Sequence, residues 1–109
     1  MYEHKEKYIL DFTNMKNWRY FHAIIAAEFD FPDYYGCNWS AFWDCLNDMY
    51  GDPIYIEIIG IEVIERKFVT AAEKMLEILK KFKHDCEKYF PDSVKIEILR
   101  EDGSVTTIE

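Results

Sequence analysis

The spacing of apolar and polar residues changes period along the chain, and each change marks an element. Tyr8-Ile9-Leu10-Asp11-Phe12 is a short apolar run suited to a buried strand, and Asn14 or Asn17 is placed to cap a helix after it. Trp18, Phe21, Ile25 and Phe29 then recur at helical spacing as a core stripe, with His22 beside it as a packing residue. Gly51-Asp52-Pro53 turns the chain into Ile54-Tyr55-Ile56-Glu57-Ile58-Ile59, whose β-branched content suits a central strand buried on both sides. Gly60 breaks that strand, and a short helix is expected over 61–67 before the longest one, from about Thr70 to Tyr89. Phe68, Ala71, Ala72, Met75, Leu79, Phe82, Cys86 and Tyr89 trace its buried side. Glu73, Lys74, Glu77, Lys80, Lys81 and Lys83 make its solvated face.

Pro91 ends that segment, and Val94-Lys95-Ile96-Glu97-Ile98-Leu99 alternates as a third strand. Asp102-Gly103 is a hairpin signal, so Val105-Thr106-Thr107-Ile108 is expected to pair antiparallel with the third strand as an edge. Strands separated by helices need crossover connections, which favour parallel pairing. The fold class is therefore α/β, with helices packed on a small parallel sheet. No repeat, linker or low-complexity run divides the chain, so a single domain over 1–109 is expected.

The segment from Phe31 to Leu46 breaks the regular pattern and carries the most information. Pro32 disfavours helix at Phe31, and Gly36 is open to backbone angles that a side chain would forbid, so Pro32 to Cys37 reads as an ordered loop. Asn38 can then cap a helix running over about 39–49. On that helix Trp39, Phe42, Trp43, Leu46, Met49 and Tyr50 gather on a core side. Ser40, Ala41, Asp44, Asn47 and Asp48 gather on an open side. Asp44 and Asp48 stand one turn apart with no Lys or Arg on the same helix to pair with them. Pattern alone reads this as a solvated acidic face, and the sharper alternative is a surface shaped to enter a positively charged cleft.

Composition changes the picture mainly through charge. With 21 acids against 13 bases the net charge is −8, which repels nucleic acid and anionic membrane and attracts a basic protein. A content of 50% hydrophobic residues excludes a disordered chain, and a chain of 109 residues buries enough surface to fold without staples. Cys37, Cys45 and Cys86 lack C-x-x-C spacing, and His4, His22 and His84 are scattered. Neither a disulfide framework, a metal site nor a cofactor is expected, and the thiols read as buried or half-buried. Neither a signal peptide's apolar core nor an apolar run of membrane-spanning length is found, which points to the cytoplasm. Paired carboxylates on a convex helix, with no His or nucleophile beside them, make poor catalytic architecture, so an enzyme is not expected.

Pro32-Asp33-Tyr34-Tyr35-Gly36-Cys37-Asn38, followed by Trp39-Ser40-Ala41-Phe42-Trp43-Asp44-Cys45-Leu46, resembles the signature of the barstar family, intracellular inhibitors of the ribonuclease barnase. Tyr34, Tyr35, Gly36, Asn38, Ala41, Trp43, Asp44, Cys45 and Leu46 fit the motif, and weaker similarity covers about Lys7 to Leu99. The resemblance implies a three-stranded parallel sheet with about four helices, to which this chain adds the C-terminal edge strand. It further implies a protein, monomeric before complex formation, that occludes the active site of a basic ribonuclease. Asp44 would be the anchor, with Tyr34, Tyr35, Gly36 and Asn38 in contact from the loop and Trp39, Ser40, Ala41, Trp43, Asn47 and Asp48 from the helix. Trp39 and Trp43 are expected to be partly buried, at the rim of the contact. The sequence departs from the family pattern at Ser40 and Lys81, where that pattern has acids, with Asp85 one turn beyond Lys81. Those departures keep a second reading open, a regulatory domain of the same fold that binds another basic protein.

Overall fold

In a computed structural model that describes residues 6–17, 20–32, 35–36 and 38–109, the elements follow in the order β1 (Tyr8–Asp11), α1 (Phe21–Phe29), α2 (Trp39–Asn47), β2 (Ile54–Ile59), α3 (Ile61–Lys67), α4 (Val69–Glu87), β3 (Val94–Leu99) and β4 (Val105–Thr107). The sheet order is β1-β2-β3-β4. The first three strands are parallel, and β4 returns antiparallel to β3 through the Asp102-Gly103 hairpin, as the sequence pattern implies.

Period-2 burial organises the sheet. Tyr8 and Leu10, then Ile54, Ile56 and Ile58, then Val94, Ile96 and Ile98 all face one apolar layer, where they join Phe21, Ile25 and Phe29 of α1 and Met75, Leu79 and Phe82 of α4. The opposite face is different. Ile9 and Lys95 are exposed there, Tyr55, Ile59, Glu97 and Leu99 are half-buried, and Glu57 is nearly covered by its polar neighbours. β2 is thus central and covered on both sides, as expected, with polar side chains covering part of its outer face.

Gly60 connects β2 to α3 with φ of +79°, and a Cβ there would lie 2.5 Å from the Thr13 amide nitrogen. Only glycine lets the end of β1 pass this close. At the free edge of β1, the Ile9 amide donates to Glu28 Oε2 of α1 at 2.7 Å, so a side chain takes the place of a further strand.

Several sequence expectations shift. Helix α1 is described from Phe21, with Tyr20 in the capping position and no side-chain cap there, and the Asn17 carbonyl accepts from the Tyr20 amide. Trp18 lies outside the described residues. Helix α2 ends at Asn47, and 48–50 continue as turns in which the Asp48, Met49 and Tyr50 amides reach back to Cys45, Leu46 and Asn47. Tyr50 and Tyr89, both placed in the core by helical phase, are 39% and 66% exposed, because each falls just beyond the end of its helix where the phase no longer applies. Lys83 is not solvated as its pattern implied: it is largely covered and pairs with Glu87 at 2.6 Å. Cys45 and Cys86 are free, buried thiols, and Cys37 lies outside the described residues. No helix among the described residues is long and apolar enough to cross a membrane.

Candidate partner-binding site

The loop and α2 are held together by one side chain. Asn38 sits in extended backbone at the helix N-cap, where its Oδ1 accepts from the Ala41 amide at 2.8 Å and its Nδ2 donates to the Gly36 carbonyl at 3.1 Å. The loop end is thus tied to the first turn of the helix. Gly36 has no positive φ, and a Cβ there would lie 3.0 Å from Asn38 Nδ2, so the capping side chain would have to shift by a few tenths of an ångström.

Beneath the loop, α1 supplies a second anchor. His22 Nδ1 lies 2.5 Å from the Tyr35 hydroxyl, and its ring meets Phe21 and Trp39 edge-on at about 5 Å between centroids. Burial lowers the His22 pKa, so the imidazole is neutral near pH 7. Tyr35 is only 8% exposed and packs at a tilt against Phe31 and His22. Of the adjacent tyrosines, Tyr35 points inward and shapes the loop from below. Tyr34 lies outside the described residues.

Along α2, Phe42, Cys45 and Leu46 are buried. Trp39, Ala41, Trp43 and Asn47 are half-buried, and Ser40, Asp44 and Asp48 are exposed. The two tryptophans therefore lie at the margin between core and surface, partly buried as expected. Asn47 turns its side chain back on the helix, with Nδ2 donating to the Trp43 carbonyl at 2.8 Å, and so fixes the last turn. Asp44 and Asp48 have no ion pair among the described residues. Their charges are felt inside: burial, then Asp48 and Asp44, push the Cys45 thiol up.

Periodicity alone did not connect α2 to α4, although the family resemblance singled out Lys81 of α4. Helix α4 runs alongside α2 in the same direction, so that Trp39 adjoins Phe68 and Ala71 at one end and the Tyr50 hydroxyl lies 3.5 Å from the Asp85 carbonyl at the other. Between these ends is a groove with Trp39, Ser40, Trp43 and Asp44 on one wall and Lys74, Glu77, Ile78 and Lys81 on the other. Lys81 Nζ stands 4.4 Å from the centroid of the Trp43 ring and 3.3 Å from Asp85 Oδ2. A lysine on an expected solvated face is thereby part of the α2 surface. Its place in the charged row of α4 gave no signal of this, since the packing partner is remote in sequence.

Asp44 and Asp48 thus stand exposed along a capped helix whose first turn is tied to the preceding loop. The family model "Barstar (barnase inhibitor)" matches residues 6–98, so the chain belongs to the barstar family. It is also 29% identical over 84 residues to a protein of Bacillus subtilis (strain 168) named "Putative ribonuclease inhibitor YrdF", a match that covers 77% of this chain and 92% of that relative. Strand β4 lies beyond the matched region.

Proposed function

We propose that this chain inhibits a basic ribonuclease by placing α2 and the preceding loop over the enzyme's active site. Within the barstar family, the observation that carries this reading is the pair Asp44 and Asp48, exposed on a capped helix and without ion pairs among the described residues. A ribonuclease binds a polyanion and so concentrates Arg, Lys and His where phosphates sit. Carboxylates on a preorganised helix can occupy those places at small entropic cost. Asp44 is the anchor in this proposal. Gly36, Asn38, Trp39, Ser40, Ala41, Trp43 and Asp48 surround it, Tyr34 contacts from the loop, and Tyr35 and Asn47 hold that surface in shape. The role is occlusion, with no chemistry performed by the inhibitor and no cofactor.

The test is titration of the chain into RNA-cleavage assays with basic ribonucleases of the same organism. One of them loses activity at one-to-one stoichiometry, RNA competes with the inhibitor, and the association rate falls steeply with added salt while dissociation changes little. If no ribonuclease loses activity and a different basic protein is bound instead, the family fold serves a regulatory role, and Lys81 beside Trp43 is the feature that favours such a change of client.

A further inference from the structure

The proposed contact surface is not uniformly acidic. Asp44 and Lys81 face the same groove from opposite walls, and the Lys81 ammonium is held in place by the Trp43 ring at 4.4 Å and by Asp85 at 3.3 Å. The Lys81 side chain is 64% exposed and that of Asp85 47%, so this ion pair is a weak surface contact that leaves the ammonium available to a third group. A cleft lined only by cations would satisfy Asp44 and Asp48 and meet Lys81 with repulsion.

We propose that Lys81 is a specificity-determining residue, and that the ribonuclease this chain inhibits presents a carboxylate to it, beside the cations that receive Asp44. The inference rests on the inhibitor reading and names the charge pattern of its partner: basic where α2 enters, with an acid opposite Lys81. Complementary opposite charges fix orientation and register, and a wholly basic cleft is rejected through the same lysine.

The experiment uses the full chain and the ribonuclease that it inhibits most strongly in the cleavage assay. Dissociation constants are compared for the wild type, Lys81→Met, Lys81→Glu and Lys80→Glu, with thermal unfolding of each to confirm folding. Lys80→Glu makes the same change in net charge at an exposed neighbouring position outside the groove. Lys81→Met keeps an apolar stem on Trp43. Lys81→Glu should weaken binding at least about tenfold more than Lys80→Glu, with Lys81→Met between them. Reversing the partner's acid to Lys should restore tight binding to Lys81→Glu. Equal effects of Lys80→Glu and Lys81→Glu, or tighter binding by Lys81→Glu, would overturn the inference and leave the inhibitor reading standing. If the wild type inhibits no ribonuclease, the inhibitor reading fails first and this inference with it.

Discussion

The outer face of the sheet and the outer face of α2 both carry pairs of acids, and they use them in opposite ways. Glu57 and Glu97 stand directly opposite each other on β2 and β3, where like charges repel. The sheet neutralises them. The Tyr55 hydroxyl donates to Glu97 Oε1 at 2.5 Å and lies 3.5 Å from Glu57 Oε2. Lys7 pairs with Glu57 at 2.7 Å, Lys95 lies 3.8 Å from Glu97, and both ammonium groups approach the Tyr55 ring. On α2, Asp44 and Asp48 are one helical turn apart, and neither has an ion pair among the described residues. One acid pair is neutralised within the fold, and the other is left open to solvent. Net charge alone does not distinguish them, because the electrostatic value of a carboxylate depends on what already surrounds it.

Mutating both pairs breaks or sustains this contrast. Asp44→Ala should cost about 2–5 kcal/mol or more of ribonuclease binding, a range that already includes the barstar–barnase complex of this family, and should leave stability nearly unchanged. Glu97→Ala should leave affinity within experimental error and lower stability. Calorimetric binding paired with thermal unfolding separates the two, and equal small losses of affinity would show that the contact face lies elsewhere.

A smaller effect tests the support beneath the loop. His22→Phe removes the hydrogen bond to Tyr35 and should destabilise the fold by about 1–3 kcal/mol. It should also alter the response to acid. Burial lowers the His22 pKa in the folded state from its ordinary 6.5, so the unfolded chain takes up the proton first. The stability linked to neutral His22 is therefore present above about pH 6.5 and is lost as pH falls from there through the lowered folded value. Denaturant unfolding across that range should show a slope in the wild type that is reduced in His22→Phe. Identical slopes would mean that another group titrates.

Removing the cap is gentler. Asn38→Ala should cost about 1 kcal/mol of stability through the lost helix cap, and a further loss of affinity because Gly36 and the loop are no longer tied to α2. An unchanged affinity at the expected loss of stability would show that the loop holds its shape without this side chain.

The smallest effect is on the sheet face. The hydrogen bond to Glu97, then burial and the charges of Glu97 and Glu57, push the Tyr55 pKa up from 10.0 to about 12. Because the folded value is the higher one, its stabilising contribution is full below about pH 10 and is lost as pH rises through about 12. Absorbance titration should resolve a late-ionising tyrosine in the wild type that moves earlier in Glu97→Gln, with no change in ribonuclease binding at neutral pH.

The order of elements, the parallel sheet, the antiparallel β4 and the Asn38 cap were all legible in the sequence, because each depends on local chemistry: side-chain period, a turn dipeptide, a short polar side chain before an apolar run. The exposure of Asp44 and Asp48 was legible for the same reason, since helical phase separates them from Phe42 and Leu46. What only the tertiary structure decided involves groups far apart in the chain. Tyr35 turns inward because His22, on another helix, meets its hydroxyl. Glu57 and Glu97 become neighbours only when β2 and β3 pair in register. Lys81 joins the α2 surface only because α4 packs alongside it, and a local charge pattern carries no information about which remote ring an ammonium will meet.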